Sequence, residues 1–448
     1  MGTLVTVQVE GLSHRGEGVA RHEGLAVFIP GAAPGDTVRA QFSEIKPTYA
    51  RADLRAVVAP SPHRAAPPCA DHADCGACQL QHIAYPEQVR LKTVMVRETL
   101  RRLGQITADV HPCLPAGSPL GYRNKAQYPV GGRKGALTGG CYAAGTHRIV
   151  PVDHCHIQHP VNDAILRAAL ALGSAAGLVP YNEVTGEGFL RHIIARVAVA
   201  SGEAACVLVT NAEAFPGGPE FARVLRREVP ALVGVLQNVN TARGNAIVGG
   251  DTRVLAGRDT IREELGGLKF EVSPLSFFQT NPAQAEVLYD LVAELAAVDD
   301  EDALDLYCGT GTIALYLARR AKQVYGVERD PGAVADAKRN AALNGIANAS
   351  FVAGDASKLM PQLARGGWRP RAVVLDPPRK GAEPSVLHAI AELGPERVVY
   401  VSCNPATLAR DLAIMAGLGY HTSEVRPVDM FPQTAHVECC ALLVRGDK

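Results

Sequence analysis

Apolar and polar positions change rhythm twice along the chain. Over the first sixty residues they alternate in short runs, at 4–9, 25–29, 38–42 and 49–58, punctuated by Gly11, Gly16, Gly18, Gly24, Gly31 and Gly35. Many short strands in so small a span predict a closed or nearly closed β-barrel. Pro60-Ser61-Pro62 and Pro67-Pro68 follow as a stiff connector. Pro86 then opens an amphipathic helix to Leu103, with Val89, Met95, Val96 and Leu100 among its apolar positions and Arg/Lys opposite. Between 112 and 265 the pattern is mixed, with strands at 193–199 and 205–210 and helices near 160–172 and 219–227. From Gly266 onward it becomes regular. Strands at 303–306, 323–327, 350–352, 372–375 and 398–401 are separated by helical stretches, which predicts a doubly wound α/β sheet.

A chain of 448 residues is too long for one core, and its apolar (47%) and charged (20%) contents are those of ordinary water-soluble domains. The boundaries predicted are 1–60, 61–265 and 266–448. The amino terminus lacks a basic region followed by a long apolar stretch, so no signal peptide is expected. No apolar run approaches the ~18 residues of a membrane span. Net charge is zero, yet it is unevenly placed. Nine Lys/Arg (Arg90, Lys92, Arg97, Arg101, Arg102, Arg123, Lys125, Arg133, Lys134) face three acids between 86 and 135, whereas 281–310 holds eight acids and no Lys or Arg. The basic block is a candidate phosphate-binding surface or a solvated helix face. Eleven cysteines, an odd number without a leader, point to a reducing cytoplasm in which thiols serve metals or catalysis.

Two places carry candidate chemistry. The run 397–401 stops at Ser402-Cys403-Asn404-Pro405, which puts a thiol at the carboxyl end of a buried strand, where open α/β sheets bind ligands. Upstream, Asp305-Leu306-Tyr307-Cys308-Gly309-Thr310-Gly311 links a strand to a helix, and Glu328 ends the next strand 23 residues after Asp305. An acid there can accept ribose hydroxyls. Gly309, Gly311 and Ala314 also satisfy the dinucleotide fingerprint, so a nicotinamide oxidoreductase is one reading. Against it, Asp305 would repel a pyrophosphate and attract a sulfonium and its amino group. Asp355 and Asp376 end later strands, so four acids stand at successive strand ends and favour S-adenosyl-L-methionine.

Ser402-Cys403-Asn404-Pro405-Ala406-Thr407-Leu408-Ala409-Arg410-Asp411 resembles the nucleophile motif of the RNA uracil-5-methyltransferases. Phe431-Pro432-Gln433-Thr434-Ala435-His436-Val437-Glu438, Asp376-Pro377-Pro378-Arg379, Ser276-Phe277-Phe278-Gln279-Thr280-Asn281 and Gly121-Tyr122-Arg123-Asn124-Lys125 resemble that family's other signatures. The front half looks like the ribosomal-RNA branch. The resemblance implies a multidomain chain: an amino-terminal OB-like β-barrel (TRAM), an α/β central region with an iron–sulfur cluster, and a carboxyl-terminal doubly wound, Rossmann-like class I methyltransferase.

It further implies methylation of carbon 5 of a uridine in RNA, with 23S ribosomal RNA as the expected partner and transfer RNA as the alternative. A non-catalytic RNA-binding protein that kept the fold is the more distant reading, against which intact Cys403 and Glu438 speak. No membrane and no obligate protein partner are expected. By resemblance Cys403 is the nucleophile toward carbon 6 and Glu438 the base for the carbon 5 proton. Gln279, Tyr307, Glu328 and Asp376 contact the methyl donor. Asp355 and the variable position Thr312 join them, and His436 is either a substrate contact or structural. Cys308, Cys439 and Cys440 read as packing residues. Cys69, Cys75 and Cys78 stand as Cys-x5-Cys-x2-Cys. Cys155 sits where the family supplies a fourth thiolate, completing a [4Fe-4S] site, with structural zinc as the alternative.

Overall fold

The structure of the chain is a computed structural model that describes residues 2–446. It divides into two compact units. One comprises the chain up to Ala70, Cys78–Gly117 and Gln284 onward; the other comprises Asp71–Ala77 and Ser118–Ala283. These units cut across the three expected segments.

Strands β1 (Leu4–Leu12), β2 (Gly18–His22), β3 (Leu25–Ile29), β4 (Thr37–Ile45) and β5 (Tyr49–Ala59) close into a barrel in the order β1-β2-β3-β5-β4. Alternation turns Val5, Val7 and Val9 of β1 inward. The pattern missed β2, whose five residues begin with a glycine. A Cβ on Gly18 would stand 2.7 Å from the Ala32 carbonyl oxygen, so the close approach of the chains requires that residue. Helix α1 (Tyr85–Thr99) has its proline in the first turn and runs into a π-helical turn, Leu100–Gly104. Its Met95 and Val96, with Leu100, join the core that holds Leu408, Leu412 and Met415. Each such burial contributes about 1.5–3 kcal/mol. The two-residue strand β6 (Asp109–Val110) follows.

In the second unit, β7 (Lys125–Arg133), β8 (Ala136–Tyr142), β9 (Ile149–Pro151), β10 (Leu190–Val197), β11 (Ala204–Thr210), β12 (Leu232–Val239) and β13 (Asp251–Gly257) form a seven-stranded sheet, ordered β13-β12-β11-β10-β7-β8-β9. Helices α2 (Pro160–Ala175) and α3 (Gly218–Glu228) share its core. A hairpin of β14 (Ile261–Leu265) and β15 (Leu268–Val272) completes the unit.

Returning to the first unit, α4 (Pro282–Ala296) leads into β16 (Asp302–Leu306), α5 (Thr312–Leu317), β17 (Gln323–Glu328), α6 (Pro331–Leu343), β18 (Ala349–Ala353), α7 (Ala356–Arg365), β19 (Ala372–Leu375), α8 (Pro384–Leu393), β20 (Arg397–Ser402), α9 (Pro405–Gly417), β21 (Tyr420–Val428) and β22 (Glu438–Arg445). The sheet runs β18-β17-β16-β19-β20-β22-β21-β6. Its first five strands are parallel, and β22 is antiparallel to both neighbours. Buried on both faces, β19 and β20 read as continuous apolar runs. Among the described residues no helix is long and apolar enough to cross a membrane.

Candidate active site

The carboxyl ends of β16 to β19 carry the four expected acids in different states. Asp305 is fully buried, and among the described residues neither carboxyl oxygen has a well-formed hydrogen bond, only a looser one from the Ala314 amide that favours its ionised form. Burial, then the charge of Asp376, pushes its pKa well above the usual carboxylate range. A buried acid left this way is costly, and a cationic ligand would satisfy it. Asp376 is also raised by burial, to about 7.

The turn after β16 is wound tightly. Tyr307 sits at φ 63°, and Gly311, the N-cap of α5, at φ 84°. A Cβ on Gly311 would lie 3.0 Å from that of Ala337 and 3.1 Å from the Phe351 ring, so the position demands glycine on two counts. The turn aims the Gly309 N–H at Glu328 Oε2 (3.2 Å), while the Asp330 N–H holds Oε1 (2.9 Å). Glu328 is thereby fixed in direction, with lone pairs remaining for a diol. Beside it, Tyr307, Val327, Arg329, Asp355, Ala356 and Glu383 line a cleft.

Two expected donor contacts have other partners as well. Asp355 accepts from Ser357 N (2.9 Å) and Oγ (2.7 Å) and pairs with Arg329 (2.9 Å), and Ser357 leads in lowering its pKa. Its carboxylate thus caps α7 besides bordering the cleft. Thr312 Oγ1 donates to Tyr289 Oη at 3.4 Å. Gln279 is buried in the second unit, where its carbonyl accepts from Asn124 Nδ2.

The last parallel strand carries the thiol. Asn404 caps α9 by accepting the Ala406 N–H (3.1 Å), so Cys403 occupies the sharp passage from β20 to α9. Ser402 pairs with Cys439 across the antiparallel β20–β22 ladder. Carrying the register one step further sets Cys403 opposite Glu438, positions whose Cβ atoms stand roughly 5 Å apart. Glu438 is buried; burial, then Asp376, pushes its pKa far up, against Arg379. Burial, followed by Glu438, raises the Cys403 thiol to about 11. Arg379 opposes both shifts and hydrogen-bonds the thiol. Its carbonyl is held by Asn404 Nδ2 (3.1 Å) and Thr407 Oγ1 (3.3 Å) at the start of α9. The arrangement joins a thiol, a carboxyl and a cation at one strand end, within electrostatic reach of Asp376.

Residues 249–446 match the family tRNA (Uracil-5-)-methyltransferase, and residues 1–54 match the TRAM domain. An uncharacterized RNA methyltransferase of Halalkalibacterium halodurans is 45% identical over 442 residues, which is 98% of this chain and 96% of that protein. The chain belongs to the RNA uracil-5-methyltransferase family. Another such relative, from Caldanaerobacter subterraneus subsp. tengcongensis, is 40% identical over 99% of both chains. Among solved structures, Pyrococcus abyssi tRNA (uracil-54, C5)-methyltransferase in complex with S-adenosyl-L-homocysteine superposes with a TM-score of 0.78. It is 26% identical, over 98% of this chain and 100% of that one. As a member of the family the protein is an S-adenosyl-L-methionine-dependent RNA methyltransferase, and the buried, weakly satisfied Asp305 and oriented Glu328 suit that cationic, ribose-bearing donor.

Within this uracil-5-methyltransferase the sequence reading missed the role of Arg379, although it lies in the quoted Asp376-Pro377-Pro378-Arg379 motif. It also left Asp305 out of the donor site it had helped to define. The basic block needs correction. Lys92 is wholly buried against Asp429 (2.5 Å), and burial together with Arg196 lowers the Lys125 pKa to about 7. Arg90 pairs with Glu87, and Arg101 and Arg102 with Glu98.

The cysteine expectation is not supported by the geometry. Cys69 and Cys78 belong to one compact unit, Cys75 and Cys155 to the other. An isolated bridge pairs Cys75 with Ala143 at the end of β8, so its thiol hydrogen-bonds Cys141, a residue the spacing did not single out. Among the described residues no group of three or more His, Cys, Asp or Glu is arranged to hold a metal ion. Cys308, Cys439 and Cys440 are buried.

Proposed function

We propose that this protein transfers a methyl group to carbon 5 of a uridine by covalent catalysis, with Cys403 as nucleophile and Glu438 as base. The register that sets Cys403 opposite Glu438, with Arg379 acting on both, carries the reading. Carbon 5 of uracil is a poor nucleophile. Burial and Glu438 hold Cys403 as a thiol, so it must first lose its proton, a loss that Arg379 favours. The thiolate then adds to carbon 6 and makes an enolate with charge at carbon 5. The electron pair at carbon 5 takes the methyl that S-adenosyl-L-methionine, when bound, would supply from its sulfonium, the sulfur–methyl bond breaking to leave S-adenosylhomocysteine. Glu438 then removes the carbon 5 proton, the electron pair re-forms the 5,6 double bond, and the Cys403–carbon 6 bond breaks. A stacked base cannot reach a thiol at the end of a strand, so the uridine must be flipped out or presented by a loop.

Asp305, Tyr307, Glu328 and Asp376, with Gln279, are proposed to hold the donor; Thr312 and Asp355 support them through Tyr289 and α7. On 5-fluorouridine RNA the fluorine cannot leave as a proton, so wild type should give a band that survives denaturing gels and Cys403→Ala none. Absence of any Cys403-dependent band would remove the mechanism.

The RNA is proposed to be 23S ribosomal RNA in the cytoplasm, on the resemblance of the front half. Likeness to the Pyrococcus abyssi transfer-RNA enzyme over nearly the whole chain favours transfer RNA as a second reading. Mapping 5-methyluridine in both RNAs from a deletion strain separates them.

A [4Fe-4S] cluster on Cys69, Cys75, Cys78 and Cys155 is proposed on spacing and resemblance alone, and no step passes through it. Anaerobically purified protein should carry about four irons. One zinc would replace the cluster with a structural zinc site, and no metal would remove the proposal.

A further inference from the structure

The nine residues between β21 and β22, 429–437, deliver Glu438 and form no strand or helix. Glu438, the first residue of β22, is held by its pairing with Val428, but the loop that leads into it has no ladder of its own to fix it. This loop is bound by a segment that precedes it by more than 330 residues. At its start Asp429 is fully buried. Lys92 Nζ donates to Asp429 Oδ1 (2.5 Å) and to the Phe431 carbonyl (3.0 Å), and Tyr85 Oη donates to Oδ2 (2.9 Å). Tyr85 is itself fixed by accepting the Ala116 N–H (2.7 Å).

At the loop's centre Gln433 has φ 68°, a left-handed conformation that a non-glycine residue adopts when its surroundings hold it there. Gln88 and Gln433 lock reciprocally. Gln88 Nε2 donates to Gln433 Oε1 (2.9 Å), and the Gln433 N–H donates to Gln88 Oε1 (3.1 Å). The same Gln88 Nε2 reaches the carbonyls of Leu80 (3.0 Å) and Ile83 (2.8 Å). The Gln79 and Leu80 N–H groups donate to the Gln433 carbonyl (3.1 and 3.0 Å). Apolar packing would hold a loop at less desolvation cost than a buried lysine and paired amides. What the polar lock adds is one defined loop position.

We propose that Gln88 and Lys92 are positioning residues for Glu438, clamping 429–437 so that its carboxyl meets the carbon 5 proton after methyl transfer. The inference rests on the reading of Glu438 as base. Cys403 is placed by β20 and α9. Helix α1 packs on α9 through Met95 and Val96, but the Gln88 and Lys92 side chains bond to the 429–437 loop and not to β20 or α9. Addition to carbon 6 and methyl transfer therefore proceed without it. Loss of the carbon 5 proton to Glu438, and with it release of the Cys403–carbon 6 bond, slows.

The test is single-turnover kinetics with uridine RNA and tritiated methyl donor on the full-length protein. Gln88→Met keeps the side chain's length and loses the amide. The double variant Lys92→Met/Asp429→Asn removes both charges, so neither is left buried and unpaired. For each, methyl incorporation should stay within about 3-fold of wild type while release slows about 10–100-fold, the usual penalty of a small misplacement. A methylated RNA–protein band should then accumulate on denaturing gels. Thermal unfolding and S-adenosylhomocysteine binding report folding, and the double variant stands in if Gln88→Met does not fold. Glu438→Gln, run in parallel, should give the band at full strength. If it does and the clamp variants do not, the clamp is overturned and the base assignment stands. If it gives no band, the base assignment falls and the clamp with it. Equal slowing of incorporation and release would reduce the clamp to general scaffolding and also overturn the proposal.

Discussion

The donor end of the sheet and its reacting end are built by different means. At β16 and β17 the carboxylates are placed by a turn of a few residues: Glu328 takes its direction from Gly309 and Asp330, near neighbours in sequence and strand order. At β20 and β22 the reacting pair exists only because an antiparallel strand from the chain's end lies beside Cys403, and a segment near residue 88 holds the approach to Glu438. A locally built site survives damage elsewhere, whereas one assembled from remote parts fails in steps. The two ends should therefore be separable by mutation.

The sharpest separation is Cys403→Ala. Turnover should vanish while S-adenosylhomocysteine affinity, by calorimetry, stays near the wild-type value. Loss of both together would mean the ends are one unit. Next, Glu328→Ala removes a charged hydrogen-bond partner and should weaken donor binding by roughly 1.5–3 kcal/mol. Covalent capture of 5-fluorouridine RNA at saturating donor should persist. Unchanged donor affinity would displace the proposed site.

Acidity gives a smaller, graded test. Asp376 has its pKa raised to about 7, so it is protonated below that value and must ionise to attract a sulfonium. Donor affinity should therefore rise by about tenfold from pH 6 to 8, since each pH unit below the pKa is worth about 1.4 kcal/mol. The sign for folding is opposite. Raised carboxyl pKa values at Asp305, Asp376 and Glu438 favour the neutral folded form. Their contribution is complete below the unfolded value near ~4 and is lost as pH rises through the folded values. The melting temperature of the donor-free protein should fall as pH rises from 5 to 8, and donor should narrow the fall. A flat profile in both measurements would mean these acids are already solvated.

The smallest effect concerns RNA. Removing residues 1–58 should raise the Michaelis constant for a long RNA several-fold and flatten the salt dependence of binding, because fewer phosphates are neutralised. Turnover should change less. Identical salt slopes would show that the barrel serves another purpose.

The same contrast decides what could be read from the sequence. The five parallel strands were legible because their apolar runs end at turn residues, and the donor turn because its glycines and acids are adjacent. The strand β6 has two residues and no pattern, and it is a strand only because Glu424 and Val425 of β21 lie beside it. Lys92 looked like one more surface cation on a basic helix. Its burial depends on Asp429, a partner no local rhythm reveals. Arg379 stood in a motif already noticed, but its action on Cys403 depends on how α9 grips its carbonyl. The neighbour of Cys75 is Cys141, set there by the β8 edge rather than by spacing.

The lock between Gln88 and Gln433 also orders events in time. A chain made from its amino end exposes Gln79, Gln88 and Lys92 long before residues 429–445 leave the ribosome, and contacts of such sequence separation form late. Until then the β20 edge lacks its β22 neighbour, and Lys92 waits without Asp429. The thiol is synthesised before its base, and the enzyme becomes competent only when the final hairpin closes. A fragment beginning at residue 266 has no part of α1 or β6 to close upon.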